Sequence, residues 1–198
     1  RRGKLSTHKK FGESTAILAG NSLLTVAFEI LARKSFKLNN SIKIKLITLL
    51  SECSGHSGVA GGQFSDLNFE KKKVPLKKII DMQIKKTGKL FSFCCIVPLI
   101  ISKKIKLYRE FDKIGSNIGL LFQIVDDLID YKGKTKKVGK KTNKDKKIGK
   151  ATLISLLGYK NTIKYSKRLK LKIFNKLKIF GYKAKDIKST INFILERN

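Results

Sequence analysis

The chain has little that can break a helix, bridge a thiol or carry negative charge. Two prolines in 198 residues leave long stretches free of the one residue that cannot continue an ordered backbone. Three cysteines, Cys53, Cys94 and Cys95, show neither metal-ligand nor redox spacing. Two of them are adjacent within an apolar run, so they read as reduced, buried thiols in a cytosolic protein. Apolar runs of membrane length are scarce too. The nearest, "LFSFCCIVPLII", is 12 residues and contains Pro98, against the roughly 20 a spanning helix needs. No transmembrane segment is expected and the chain reads as soluble. The first residue is Arg1, so the sequence is read as starting inside a longer protein and says nothing of a targeting signal.

Acidic residues are scarcest of all, 14 against 45 Lys plus Arg, for a net charge of +31. Such a balance suggests a polyanionic partner, nucleic acid or phosphate. The cations are overwhelmingly Lys, however, and Ile, Asn and Phe are also abundant. That bias is what AT-rich coding imposes on solvent-facing positions, whereas base recognition favours Arg. No nucleic-acid partner is expected.

What is present is helical periodicity. A 41% hydrophobic content with Ile/Leu/Lys-rich segments predicts an all-α protein, long enough for one domain over residues 1–198. "STAILAGNSLLTVAFEILARK" spaces its apolar residues three and four apart, and "NNSIKIKLITLLSEC" opens on cap-forming residues. "SGHSGVAGGQFSDL" interrupts the pattern with glycines. "LKKIIDMQIKKTGKLFSFCCIV" reads as two helical stretches meeting near Thr87 and Gly88. In "KIKLYREFDKIGSNIGLLFQIVDDLIDY", Ile114, Ile118, Leu121, Val125 and Leu128 mark one apolar stripe of a long helix. Residues 132–150 hold ten Lys and three Gly in nineteen positions and read as a solvated loop. Two or three helices close the chain.

Against this background one cluster stands out. Asp126, Asp127 and Asp130 fall within five residues in "FQIVDDLIDY". On a helix Asp126 and Asp130 are an i,i+4 pair, and like charges at that spacing repel. A cation relieves the repulsion, and Mg²⁺ takes one or two carboxylates and completes its shell with water and phosphate oxygens. Pairing with the lysines downstream would relieve it as well, and spacing alone leaves both readings open. No nucleophile–base pair is visible, and neither His8 nor His56 has a partner at metal spacing.

Taken in order, the segments "RRGKLSTHKKFGESTAILAGNSLLTVAFEIL", "GGQFSDL", "KKTGKL", "FQIVDDLIDYKGKTKKVGKKTNKDKKIGKATLISLLG" and "ILERN" resemble the trans-prenyl diphosphate synthases, of the bacterial farnesyl diphosphate synthase type. The resemblance spans essentially all 198 residues. It implies an isoprenoid-synthase-type helical bundle around a central cavity, usually dimeric. It also implies an Mg²⁺-dependent condensation of isopentenyl diphosphate with an allylic diphosphate. Asp126, Asp127 and Asp130 look like the family's second Asp-rich, metal-binding motif. Lys86, Lys140 and Lys150 look like lysines that hold the allylic diphosphate, and Lys140 and Lys150 lie in the 132–150 active-site loop. Thr87 and Gln123 resemble groups lining the carbocation path, and Gln63 and Asp66 an element near the metals. Arg1 and Arg2 resemble an arginine pair that meets the two diphosphates.

Two departures stand out. The family's first Asp-rich motif and the helices before it are not in this sequence, so the chain alone is expected to be inactive. Asn21 stands where the family usually has Asp. The competing readings are a non-catalytic partner subunit of a prenyltransferase and a Lys-rich nucleic-acid binder.

Overall fold

The computed structural model describes residues 4–138 and 151–197, with the backbone alone for 134–138. Every regular element among them is helical. The chain divides into two compact units, Arg1–Leu50 and Ser51–Asn198, where the sequence gives no sign of a boundary.

In the first unit a short helix α1 (Thr7–Phe11) precedes α2 (Glu13–Ala32). Helix α3 (Asn40–Ser54) begins there and runs across the boundary. The Lys43 ammonium donates to the Arg33 carbonyl at 2.6 Å, tying the end of α2 to the start of α3. None of the 20 residues of α2 is buried, and Ile17, Leu18, Leu23, Leu24, Val26 and Ile30 are all exposed. Its mean hydropathy of 1.6 makes it long and apolar enough to cross a membrane. A search for an unbroken apolar run does not single this helix out. Gly20, Asn21, Thr25 and Glu29 interrupt the apolar run, so no unbroken stretch of membrane length is seen, although the window average reaches it. The same length and composition also suit a helix that packs on protein.

The second unit carries the core. It comprises α4 (Val59–Asn68), α5 (Leu76–Gln83), a π turn (Ile84–Gly88), α6 (Lys89–Ile101), α7 (Tyr108–Val138), α8 (Leu153–Leu157), α9 (Tyr159–Leu177) and α10 (Lys185–Glu196). Ile114, Ile118, Leu121 and Val125 are buried and Leu128 is partly buried, so the expected stripe of α7 is present. Leu120 and Ile124 are buried as well. Helix α7 is therefore covered on more than one side, by α6 and the π turn, by α9 and by α10. Ile79, Met82, Ile173, Leu177 and Ile191 complete the core around it. At the start of α8, Thr152 and Ser155 form a reciprocal capping box: the Ser155 amide donates to Thr152 Oγ1 at 3.2 Å, and the Thr152 amide to Ser155 Oγ at 3.1 Å.

The elements differ from expectation in three places. Residues 132–138, read as loop, continue α7. Lysine is a good helix former, and a helix that emerges into solvent needs no apolar stripe. The Gly-rich break is also shorter than expected, because α4 starts at Val59 and takes Gly61 and Gly62 into a helix. Finally, Cys53 is buried and Cys95 half-buried, but Cys94 is exposed. Burial pushes the Cys95 thiol up to about 11, which keeps it protonated.

Candidate active site

Glycine sets the distances between the elements that meet here. A Cβ on Gly62 of α4 would lie 2.2 Å from the amide nitrogen of Lys86, and one on Gly119 of α7 would lie 2.5 Å from Cα of Gly88. Main chain meets main chain at both points, and only residues without a side chain permit it. These contacts hold the π turn between α4 and α7. The turn is where the sequence places its junction of two helical stretches. A π turn inserts an extra residue into the helical ladder and re-aims its side chains, a device common at functional sites.

Lys86 and Thr87 project from that turn. The Lys86 ammonium donates to Asp66 Oδ2 on α4 at 2.6 Å, and both side chains are largely buried. Thr87 Oγ1 donates to Gln123 Oε1 on α7 at 3.1 Å. One turn along α7, Gln123 Nε2 donates to Asp127 Oδ1 at 3.0 Å. Gln83, at the end of α5, donates from Nε2 to Asp127 Oδ2 at 3.2 Å. Both oxygens of Asp127 thus accept from amides. Gln83 is 3% exposed, and its own Oε1 is buried without a partner among the described residues.

Asp127 is the electrostatic centre of this group. Burial pushes its carboxyl up to about 6, and the neighbouring Asp130 and Asp126 add to the rise. The hydrogen bonds from Gln123 and Gln83 oppose it without cancelling it. Asp126 lies 3.0 Å from the Arg197 guanidinium just beyond α10, and Asp130 is exposed.

Three segments far apart in sequence are therefore brought together: Asp66 on α4, the Lys86–Thr87 pair, and Gln123 with Asp127 on α7. Gln63 is exposed on α4 and joins none of these hydrogen bonds. Arg1, Arg2, Lys140 and Lys150 lie outside the described residues. Sequence reading missed Gln83 and Arg197. A polar residue inside "IIDMQIKK" was the available signal for the first. Arg197 stood beside Glu196 in the closing "ILERN", and nothing local pointed to its partner Asp126 on α7.

Among the described residues no three His, Cys, Asp or Glu side chains enclose an ion by themselves. That donor set suits Mg²⁺, which needs only one or two carboxylates and takes its other ligands from water and phosphate. The desolvated Asp127 beside two like charges is where a cation would offset the most repulsion.

Comparison with known proteins places these features in context. A family profile, Polyprenyl synthetase, matches residues 1–191. The farnesyl diphosphate synthase of Micrococcus luteus is 37% identical over 199 residues, covering 100% of this chain and 68% of that protein. The Bacillus subtilis enzyme of the same name is 37% identical over 181 residues, with 85% and 60% covered. Among solved structures, a geranyltransferase from Helicobacter pylori complexed with magnesium and isoprenyl diphosphate superposes with a TM-score of 0.80 at 31% identity, covering 98% of this chain and 64% of that one. The chain thus spans between 60% and 68% of the length of these proteins.

Proposed function

Since the chain belongs to the polyprenyl synthetase family, we propose that the whole protein is a prenyltransferase that joins isopentenyl diphosphate to an allylic diphosphate. The product would be a short-chain prenyl diphosphate such as farnesyl diphosphate. The observation that carries this reading is the convergence on adjacent Lys86 and Thr87 of two sets of hydrogen bonds, Lys86 to Asp66 and Thr87 through Gln123 to Asp127. A partly buried carboxylate beside two more is the kind of perturbed group that gathers at functional sites.

Asp126, Asp127 and Asp130, with Asp66, would hold Mg²⁺. When bound, the ion neutralises the diphosphate and makes it a better leaving group. Asp127 reaches it in a fixed orientation, because Gln123 and Gln83 hold both of its oxygens. Lys86 exchanges its Asp66 partner for a phosphate oxygen, acting as a point charge on the departing group. Lys140, Lys150 and Arg1 would join it on the allylic diphosphate, and Arg2 would meet the isopentenyl diphosphate.

The allylic C–O bond then breaks with its electron pair on the pyrophosphate oxygen. The isopentenyl double bond attacks the cation, and the proton lost from the new chain goes to pyrophosphate. Thr87 uses its hydrogen to bind Gln123, which leaves its oxygen lone pairs for the developing cation. No protein nucleophile is needed.

The test is to assay the whole protein with Mg²⁺, isopentenyl diphosphate and dimethylallyl or geranyl diphosphate. Product formation should fall at least about 100-fold in Asp127→Ala, the scale on which a preorganised electrostatic group acts. Undiminished turnover in that variant would remove the assigned role.

A further inference from the structure

Asp126 takes part in an ion pair that the proposed chemistry does not use. Arg197 Nη2 lies 3.0 Å from Asp126 Oδ1, and the two side chains are only 16% and 23% exposed. The guanidinium is held in place by two further contacts. Its carbon sits 4.1 Å above the ring of Phe122, one turn before Asp126 on α7. Its Nε donates to the Ile194 carbonyl at a long 3.5 Å. The contact with Asp126 itself is close without being well aligned, since Nη2 makes no hydrogen bond of good geometry. It is charge against charge rather than the parallel fork that makes Arg–carboxylate pairs strong.

From this geometry, and resting on the metal reading above, we propose that Arg197 is the counter-ion of Asp126 in the metal-free protein and is displaced from that carboxylate when a divalent cation binds. The physical case is one of competition. Asp126, Asp127 and Asp130 crowd three carboxylates into little more than one helical turn, and Arg197 offsets the charge of one of them until metal arrives. A cation held over an aromatic face keeps a favourable site after it lets go of the carboxylate. The poor hydrogen-bond alignment means that little directional bonding is lost in the exchange. Arg197 therefore sets the metal affinity of the site without being a ligand, as a positioning residue.

The consequence is counter-intuitive for a residue at an active site, because removing Arg197 should improve metal binding. Mn²⁺ titrated into the whole protein without diphosphate, followed by the electron paramagnetic resonance of the free ion, should bind Arg197→Gln roughly fivefold more tightly than the wild type. That is the scale on which a partly exposed ion pair acts. Arg197→Lys, which keeps the charge, should lie closer to the wild type. In an Asp126→Asn background the Arg197→Gln gain should disappear. Far-UV circular dichroism of each variant establishes that it is folded.

Equal or weaker Mn²⁺ binding in folded Arg197→Gln overturns the exchange, as does a gain that persists in Asp126→Asn. A parallel titration with inorganic pyrophosphate separates the two levels. If the wild type takes up no Mn²⁺ even then, the metal reading fails and the exchange with it. If it takes up Mn²⁺ there but Arg197→Gln shows no gain without pyrophosphate, the exchange alone fails.

Discussion

A carboxylate clamped by two amides and stripped of water has a measurable signature. Burial pushes the Asp127 carboxyl from an ordinary 3.8 up to about 6. A group that binds its proton more tightly when folded lends stability that is full below its unfolded pKa and is lost as pH rises through the folded one. With metal removed by chelation, the wild type should therefore lose about 2 kcal/mol relative to Asp127→Asn between pH 4.5 and 7.5 in urea unfolding. Adding Mg²⁺ and pyrophosphate at pH 7.5 should return part of that loss. A difference independent of pH would show that Asp127 ionises as freely in the fold as in the unfolded chain. At this scale the acids were easily read, because three aspartates in a Lys-rich chain are conspicuous. Gln83 and Arg197 stayed hidden for a physical reason. Each matters through one contact across the fold, with Asp127 and Asp126 respectively, and nothing local distinguishes a Gln or an Arg that will find such a partner.

Among the elements, the contact of the π turn with α7 and the far end of α7 make opposite predictions for the same substitution. At Gly119 an added Cβ would sit 2.5 Å from the Cα of Gly88, and backbone cannot step aside as a side chain can. Gly119→Ala should cost about 2–3 kcal/mol in urea unfolding, the upper range for overpacking. It should also weaken catalysis, because the π turn carries Lys86 and Thr87. Gly133 meets nothing within 4 Å and lies inside α7. Gly133→Ala should therefore stabilise by about 0.5–1 kcal/mol through helix propensity alone. An absence of stabilisation would return residues 132–138 to the loop that the sequence suggests. The apolar stripe of α7 was legible because burial enforces its spacing. Its solvent-facing continuation was not, because a lysine run has the same composition in a helix as in a loop. The π turn was visible only as a junction, since an extra residue in the ladder leaves no mark on hydrophobic periodicity.

For the whole molecule the two quantities to test are charge and the exposed apolar side chains of α2. A net charge of +31 carried by lysines should give at most weak association with duplex DNA. Such binding falls steeply with salt, and fluorescence anisotropy at about 0.2 M NaCl should detect none. Tight binding at that salt would revive the nucleic-acid reading. Six large apolar side chains of α2 are exposed, and exposed apolar area of that extent marks interaction sites. The homodimer expected of the family would be one occupant. If it is, Leu23→Glu with Ile30→Glu should shift the whole protein from dimer to monomer in sedimentation velocity. An unchanged sedimentation coefficient with loss of vesicle binding would assign the helix to a bilayer instead.

The main-chain contacts at Gly62, Gly88 and Gly119 have a meaning at the level of the gene. Every glycine codon begins with two guanines, while the codons for Lys, Ile, Asn and Phe are rich in A and T. A coding sequence drifting toward the second group loses glycine wherever replacement is harmless. The glycines between α4, the π turn and α7 are where a replacement has no room. In such a gene they are guanine-rich islands kept by steric exclusion, and they would be the last positions to erode while lysine spreads across the surface around them.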